Sequence, residues 1–202
     1  MRNTFDRFNG RHQDYQAARP SYAQEFLDWL GELYAPPERY TAADIGSGTG
    51  KLSAQLLAAG FRVCGVEPNP DMRGAAEALL GGDPRFSSSN GADHDTGLPD
   101  RSVDMVAAAQ AFHWFDGPAF ARECRRILRP GGRAVLVWNV RGSAPMNQAL
   151  AQVFREHCPS FHGFTGGMGE DDPRIRDFFG GAYEKRRFPN PLTLDRDQFL
   201  RR

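Results

Sequence analysis

The chain has 202 residues, a length that fits one domain with a sizeable buried core rather than two full-sized domains. Lysine plus arginine total 25 and aspartate plus glutamate total 25, so the formal net charge is zero, which excludes a polycationic binder of nucleic acid or anionic membranes. The three cysteines are widely spaced and form no CxxC pair, which indicates neither a disulfide framework nor a zinc site. Residues 1–10 have no apolar core and no run of about 18 apolar residues occurs, so we expect a cytoplasmic protein.

Short apolar runs alternate with segments of helical periodicity, the pattern of βαβ units in a parallel sheet. The pattern therefore predicts an α/β fold. In chain order it predicts a helix capped by Ser21 and ended by Pro36, strand 41–45, a helix ending at Gly60, strand 62–66, and a helix opened by Pro68 and Pro70 and ending at Gly81-Gly82. It then predicts strand 85–89, strand 103–109, helix 118–128 terminated by the Pro-Gly-Gly at 130–132, strand 134–138, helix 145–157, loop 158–172, strand 183–188 and a helix capped by Thr193.

A glycine-rich turn joins the first predicted strand to the next helix. It reads DIGSGTG over residues 44–50, and glycines at this place let the backbone approach a ligand closely while helix N–H groups point outward. Glu67 ends the following strand, 17 positions after Gly50, where a carboxylate can accept hydrogen bonds from a ribose diol. The pair predicts an adenosine cofactor. The alternative is a tight βα turn beside a solvated strand end.

The spacing of this turn indicates which adenosine cofactor is bound. A dinucleotide fingerprint, G-x-G-x-x-G, that began at Gly46 would need its third glycine at Lys51, which disfavours a nicotinamide cofactor. Asp44 lies two residues before the first glycine, a position that is unfavourable beside a pyrophosphate but suits the ammonium of an amino-acid group and a nearby sulfonium. The sequence therefore predicts S-adenosylmethionine.

Five ordered sequence blocks lie between about residues 40 and 140. They are residues 44–50, 65–72, 98–104, 111–116 and 128–132, and residues 15–22 precede them. Together they resemble class I S-adenosylmethionine-dependent methyltransferases of small-molecule type, and AFHWFD at 111–116 is similar to the trans-aconitate methyltransferase-like, or methyltransferase type 11, group. The resemblance implies a Rossmann-like, doubly wound, mostly parallel sheet in three αβα layers, with a helical amino-terminal lid that contains residues 15–22.

The resemblance also implies roles for residues at matching positions. Glu67 would hold the ribose hydroxyls, and Asn69 and Met72 would flank the adenine. Asp93 would contact the adenine amino group, with His94 at the position where many relatives have glutamate. The other implied cofactor contacts are Tyr15, Arg19, Asp44, Gly46, Ser47, Gly48, Gly50, Pro68, Gln110 and Ala111.

Two segments outside the cofactor core have open interpretations. Tyr15 and Arg19 either belong to the lid, where Arg19 would pair with the methionine carboxylate of the cofactor, or lie on a solvated helix. The loop at 158–172, with Phe161 and Phe164 among its glycines, either forms a mobile wall of the acceptor pocket or is a connector.

The implied reaction is an in-line displacement, in which an acceptor O, N, C or S atom attacks the methyl carbon and S-adenosylhomocysteine leaves. Positioning and exclusion of water can supply much of the acceleration, and a carboxylate acceptor needs no base. A hydroxyl acceptor would benefit from His113, which follows the predicted strand 103–109 next to the methyl-donor site. The alternative for His113 is a packing histidine within an aromatic block. We expect no metal.

The leading prediction is a small-molecule methyltransferase with neither a nucleic-acid nor a membrane partner. Three alternatives stay open: a non-catalytic module that binds S-adenosylmethionine or S-adenosylhomocysteine, an RNA or protein methyltransferase, and a nicotinamide oxidoreductase. The neutral charge and the lack of a basic stripe weigh against RNA, and the position of Lys51 weighs against a nicotinamide cofactor.

We expect one methyltransferase domain over residues 1–202, with lid helices at 1–39, a cofactor-binding core at 40–140 and an acceptor side at 141–202. The resembled fold has a seven-stranded sheet whose last two strands form an edge hairpin. Six strands are predicted here, so we expect the seventh to be missing by truncation or natural shortening. The expected consequence is an exposed sheet edge, or a dimer that completes it.

Overall fold

A computed structural model describes residues 20–141, 145–158, 160–161, 168–169, 171–193 and 196. The helices of these residues are α1 (Gln24–Leu33), α2 (Lys51–Ala58), α3 (Pro70–Leu80), α4 (Gly117–Ile127), α5 (Pro145–His157) and α6 (Pro173–Phe178). The strands are β1 (Thr41–Ile45), β2 (Arg62–Val66), β3 (Phe86–Ser89), β4 (Val103–Ala109) and β5 (Leu128–Val137). Short 3₁₀ helices lie at Pro37–Arg39 and Phe112–Trp114.

The strands of the described chain form one parallel sheet in the order β3-β2-β1-β4-β5. The winding direction reverses between β1 and β4, so the predicted doubly wound α/β architecture is confirmed. Asp44 in β1 is in register with Gly65 in β2 and with Ala107 in β4, so the carboxyl ends of these strands reach the same edge. Open α/β sheets bind ligands at such a reversal point.

Helices cover both faces of this sheet, as its largely apolar central strands require. On one face α4 and α6 pack Phe120 and Phe178 into the cluster that contains Val66 of β2. On the other face α1 and α2 bury Leu30 and Leu56 in a second cluster. The result is the three-layer αβα arrangement, with the core on both sides of the sheet.

Several helices and strands have bounds equal or close to those predicted from the sequence. β1, β2, β4 and α5 coincide with the predicted ranges, and β3 begins one residue later than predicted, at Phe86. Asn69 caps α3 and Asp116 caps α4, each with its side chain accepting from backbone N–H groups of the first turn.

The predicted cap of α1 is wrong. The N-cap residue is Ala23, which has no side-chain acceptor, and α1 begins at Gln24. The carbonyl of Ser21 instead accepts hydrogen bonds from the side chains of Asn139 and Asn190. Long-range contacts, rather than a local cap, therefore fix the entry to this helix.

The predicted start of the fifth strand is also wrong. α4 ends at Ile127, and β5 begins at Leu128 rather than at residue 134. The register on β4 changes from Val103–Leu128 to Met105–Arg133, so the Pro-Gly-Gly at 130–132 forms an irregularity within the strand instead of a helix terminator. Gly131 allows this bend because its φ is +84°.

Residues 183–188 were predicted to form a strand, and the structure contains no strand there. Their aromatic side chain Phe188 packs on α1 instead, with ring centroids 5.8 Å from Phe26 and 5.9 Å from Trp29. The Phe188 ring therefore covers a helix rather than extending the sheet.

α6 was not predicted, although its signals are present in the sequence. The side chain of Asp172 caps the first turn, Pro173 occupies the first helical position, and Ile175 and Phe178 are buried. The helix predicted to follow Thr193 lies almost entirely outside the described residues.

Candidate functional site

Three loops meet at the carboxyl edge of the sheet. They follow β1, β2 and β4 and contain residues 46–50, 67–69 and 110–116. The backbone N–H of Gly48 donates to Glu67, and a Cβ atom on Gly46 would lie 2.8 Å from the Cβ of Ala111, so the β1 loop contacts both of the others. Residues that the sequence predicted separately are thus brought together at one edge.

Glycine is required at three positions of the β1 loop for different structural reasons. All three have left-handed φ angles, of +69°, +56° and +81° in chain order. A side chain on Gly46 would collide with Ala111, and one on Gly50 would lie 2.8 Å from Leu80 of α3. At Gly48 nothing lies within 4 Å of the added Cβ. Gly46 and Gly50 therefore serve packing, and Gly48 is the glycine that faces open space.

Glu67 joins this loop to the end of β2. Its carboxylate is buried, and its two oxygens accept from the backbone N–H groups of Gly48 and Asn69, both at 2.9 Å. Burial raises the pKa of Glu67, while those two hydrogen bonds oppose the rise. The side chain therefore holds the loop in place and presents a carboxylate at the strand end.

Asn69 and Met72, predicted to flank an adenine, have structural contacts of their own. The Oδ1 atom of Asn69 accepts from the N–H groups of Asp71 and Met72, both at 3.0 Å, and so caps α3. The Met72 side chain is buried. Asn69 follows Pro68 directly, and Met72 lies in the first turn of α3.

Arg73 is a residue of this region that the sequence reasoning missed. Its Nη1 atom donates to the carbonyl of Glu67 at 2.9 Å and to Oδ1 of Asn90 at 3.0 Å. The guanidinium thus ties the end of β2 to the loop after β3. The only sequence signal is an arginine in the first turn of a helix, which by itself specifies no partner.

Asp44 is the most deeply buried charged group of the site, with 1% of its surface exposed. Its Oδ2 atom accepts a 2.7 Å hydrogen bond from the Ser53 hydroxyl, and within the described chain Oδ1 has no hydrogen-bond partner. Burial raises the pKa of Asp44 to about 6, opposed by Ser53 and reinforced by the charge of Glu67. A buried carboxylate with an open oxygen can receive a cationic or N–H group of a ligand. Ser53 was not predicted, because a serine in a helix gives no signal of its partner.

Asp93 links the loop after β3 to the start of α4. Its Oδ2 atom accepts from the backbone N–H of Asp116 at 3.1 Å, and its Oδ1 atom lies 3.5 Å from Nδ1 of His94. His94 itself is exposed. The predicted contact of Asp93 with an adenine amino group stays a prediction, since its carboxylate already holds a backbone N–H group.

The end of β4 lies against the glycine-rich loop. Ala111 is buried and contacts Gly46, while Gln110 is half-buried and has a left-handed backbone, with φ of +54°. The Gln110 N–H donates to Val137 at 2.9 Å, and its Nε2 atom donates to the carbonyl of Asn139 at 3.0 Å. Gln110 thereby joins the ends of β4 and β5.

His113 lies in the 3₁₀ helix that follows β4, and its role as a base stays a prediction. The imidazole is half-buried, and its ring centroid is 4.8 Å from that of Trp114, which is 47% exposed. Phe112 and Phe115, on either side, pack into the core cluster of α4 and α6. The aromatic block is therefore divided between core packing and exposed surface.

The remaining predicted residues are only partly within the described chain. Ser47 and Pro68 are half-buried in the β1 and β2 loops, whereas Tyr15 and Arg19 lie outside the described residues, as does most of the glycine-rich part of the loop at 158–172. Across the described ranges, no group of three or more His, Cys, Asp and Glu side chains could hold a metal ion. Within the same ranges, none of the helices has the length and hydropathy to cross a membrane.

Comparison with known proteins relates this site to a large family. A family model for a methyltransferase domain matches residues 43–136, which include the loops after β1, β2 and β4. The chain is 42% identical over 127 residues to an uncharacterized methyltransferase of Mycobacterium tuberculosis, covering 63% of this chain and 49% of that protein. The chain thus spans about half the length of this curated relative.

Solved structures show the same fold. A protein from Anaeromyxobacter dehalogenans, described as a candidate type II methyltransferase, is 32% identical with a TM-score of 0.56, covering 87% of this chain and 70% of that one. A candidate S-adenosylmethionine-dependent methyltransferase from Methanococcus maripaludis has a TM-score of 0.62 at 20% identity, covering 89% and 85% of the two chains, and supports the fold alone.

Proposed function

Because the chain belongs to the class I S-adenosylmethionine-dependent methyltransferases, we propose that it transfers a methyl group from that cofactor to a small-molecule acceptor. The observation that carries the proposal is the buried carboxylate of Asp44, whose Oδ1 atom has no partner within the described chain. An ammonium group that reached Oδ1 would satisfy this oxygen and favour the ionised carboxylate. S-adenosylmethionine carries both an ammonium and a sulfonium.

Glu67 and Gly48 fit the ribose part of the same cofactor. Each oxygen of Glu67 accepts one backbone N–H group, whereas an ionised carboxylate has about four acceptor positions, so capacity remains for a diol. Gly48, whose N–H donates to Glu67, borders open space into which a ligand can fit. The donor and acceptor groups at this edge therefore match an adenosyl amino acid.

When bound, S-adenosylmethionine supplies an electrophilic methyl group, so the protein has to orient the acceptor and exclude water. In this proposal Asp44 holds the ammonium, Glu67 orients the ribose, and Gln110 with Ala111 borders the methyl-transfer position. The imidazole of His113 accepts the proton of a hydroxyl acceptor, whereas a carboxylate acceptor needs no proton transfer.

A small organic acceptor is supported by the charge and by the exposed residues near the strand ends. The net charge is zero, which gives no field for attracting a polyanion. Trp114, after β4, is 47% exposed and Val140, after β5, is 48% exposed. Apolar side chains near the carboxyl edge suit an acceptor with an apolar or aromatic part.

Titration calorimetry tests the cofactor. We expect S-adenosylmethionine and S-adenosylhomocysteine to bind and NADH not to bind. Asp44→Asn should weaken S-adenosylmethionine by about 30-fold or more, because a buried charge pair is lost. Ser53→Ala, which removes the partner of the other carboxylate oxygen, is the matched control and should weaken it less. Tight binding of NADH alone would reject the proposal.

Release of S-adenosylhomocysteine over a panel of carboxylic acids, phenols and amines tests turnover. His113→Gln should slow methylation of a phenol by about 10²-fold and leave that of a carboxylic acid nearly unchanged, because only the phenol loses a proton. If the substitution left the phenol rate unchanged, or slowed both substrates by the same factor, His113 would not be the base. Binding of S-adenosylmethionine without turnover of any acceptor would favour the alternative of a non-catalytic binding module.

A further inference from the structure

Three carboxamide side chains hold the backbone that enters α1. Gln55 of α2 accepts from the N–H of Tyr22 and donates to its carbonyl, both at 2.9 Å. The Nδ2 atom of Asn139 donates to the carbonyl of Ser21 at 3.2 Å, and that of Asn190 donates to the same carbonyl at 2.8 Å. Residues far apart in the sequence therefore converge on two adjacent peptide groups.

Asn139 is the centre of this arrangement. Its Oδ1 atom accepts from Asn190 at 2.9 Å, and its backbone carbonyl accepts from the Gln110 side chain at 3.0 Å. Its Nδ2 atom reaches the segment before α1. One half-buried residue after β5 thus connects the end of β4, the entry to α1 and the segment at 182–193.

The contact with Gln110 leads directly to the proposed cofactor site. Gln110 has a φ of +54°, a left-handed conformation that is unfavourable for a residue with a Cβ atom. The bond to Asn139 holds its side chain, and the next residue, Ala111, packs against Gly46 of the glycine-rich loop. The direction of the chain after β4 is therefore tied to both Asn139 and the loop that faces the cofactor.

Asn190 is held in place by the packing of its neighbours. The Phe188 ring lies 5.9 Å from the Trp29 ring, and the Arg186 guanidinium lies 5.1 Å from the centre of that same indole. These contacts hold residues 186–190 against α1. This packing places the carboxamide of Asn190 beside Asn139, although Asn190 lies in neither a helix nor a strand.

We propose that Asn139, supported by Asn190, is a positioning residue for methyl transfer, which acts by fixing Gln110 beside the glycine-rich loop. The inference rests on the proposed function, since it assigns these carboxamides to the cofactor site of that reaction. It goes beyond the sequence prediction, in which neither residue had a role. Because carboxamides do not titrate, their contribution is independent of pH, unlike that of Asp44.

The test measures the Kd of S-adenosylhomocysteine and, separately, unfolding without ligand. Asn139→Ala should raise the Kd about 3- to 10-fold, the range of one or two neutral hydrogen bonds, equally at pH 6 and pH 8. Asn190→Asp should raise it more than Asn190→Ala, because its carboxylate would face the oxygens of Ser21 and Asn139. The matched control is Gln152→Ala, which removes an exposed carboxamide bonded to Glu156 on α5 and should leave the Kd unchanged.

The outcomes separate this inference from the proposed function. Variants of Asn139 and Asn190 that unfold at lower denaturant but bind S-adenosylhomocysteine with the wild-type Kd would show a purely structural role and overturn the inference alone. Absence of binding by the wild type would overturn the proposed function and this inference with it. If Asn139→Ala does not fold, the order of Kd values for the two Asn190 variants decides, and equal wild-type values for both would overturn the proposal.

Discussion

The buried carboxylate of Asp44 lowers the stability of the free protein but suits the binding of a cationic ligand. Its carboxylate is buried with Ser53 as its hydrogen-bonding residue, and an ionised group in such a place is unfavourable until a further donor reaches Oδ1. The pKa of about 6 reflects this cost, because burial favours the protonated carboxyl relative to the carboxylate in the free protein. An ammonium group of a ligand beside Oδ1 would lower this pKa again. The group that weakens the free protein is thus the one that prepares it for a cation.

This opposition predicts the pH dependence of stability. The folded pKa of about 6 lies above the ordinary value of 3.8, so the stability that Asp44 contributes is greatest at low pH and is lost as the pH rises through 6. Between pH 5 and pH 8 the free energy of unfolding of the wild type should fall by ~1.4 kcal/mol more than that of Asp44→Asn. Denaturant unfolding without cofactor measures this difference. Asp171→Asn, at an exposed carboxylate, is the control, and parallel pH curves for wild type and Asp44→Asn would contradict the prediction.

Two substitutions of Glu67 should separate its contribution to stability from its contribution to cofactor binding. Glu67→Ala leaves the N–H groups of Gly48 and Asn69 without their acceptor, so it should lower both the free energy of unfolding, by about 2 kcal/mol, and the affinity for S-adenosylmethionine. Glu67→Gln keeps one acceptor oxygen and should fall between the alanine variant and the wild type in both measurements. Calorimetry and denaturant unfolding report the two effects. An alanine variant with wild-type affinity would refute the ribose assignment.

At the scale of helices and strands, local sequence patterns predicted the bounds of several elements, whereas contacts between residues distant in the sequence were not predicted. The buried parallel strands β1, β2 and β4 have continuous apolar runs, and their bounds were predicted correctly. The segment at 183–188 has four charged residues between Tyr183 and Phe188, and it packs the Phe188 ring on α1 instead of forming a strand. The site follows the same rule. Asp44 and Glu67 were identified from motif positions, whereas Ser53 and Asn139 act through partners that no spacing reveals.

Glu123 of α4 connects one element to the loop that carries Asp93. It accepts from the N–H and the hydroxyl of Thr96, and both of its oxygens accept from Arg126. Burial alone would raise the pKa of Glu123, but the hydrogen bonds from Arg126 and Thr96 outweigh burial and hold the pKa at about 2. The side chain therefore stays ionised and keeps the loop after β3 against α4.

Glu123→Gln should loosen this loop without disturbing the sheet. We expect a loss of about 2 kcal/mol in the free energy of unfolding at pH 7, because hydrogen bonds to a charged group become neutral ones. The depressed pKa of the wild type implies that this advantage is present above the ordinary value of 4.5 and is lost as the pH falls toward 2. Hydrogen exchange should accelerate at residues 91–97, with β1 as the internal control. Unchanged protection in that loop would contradict the role given to Glu123.

For the whole molecule, the strand order and the packing around α1 explain how residues distant in the sequence form one site at the edge of a parallel sheet. The reversal between β1 and β4 opens the carboxyl edge, and the glycine-rich loop closes one side of it. α1 and the segment at 182–193 then pack on each other beside the entry to α1. Asn139 therefore joins residues near both ends of the described chain to the cofactor edge.

Substitution of Phe188 tests whether the contact between Asn190 and Asn139 depends on the packing of this segment on α1. Phe188→Ala removes a half-buried ring from Phe26 and Trp29, so the free energy of unfolding should fall by about 1 to 2 kcal/mol. Because the ring no longer covers the indole, the emission of Trp29 should move to longer wavelength, and this can be assigned by repeating the comparison in a Trp29→Phe background. The Kd of S-adenosylhomocysteine should rise as Asn190 loses its support, and Leu192→Ala, at an exposed side chain, should change neither property. A Phe188 variant with lower stability and an unchanged Kd would show that Asn190 reaches Asn139 without this packing.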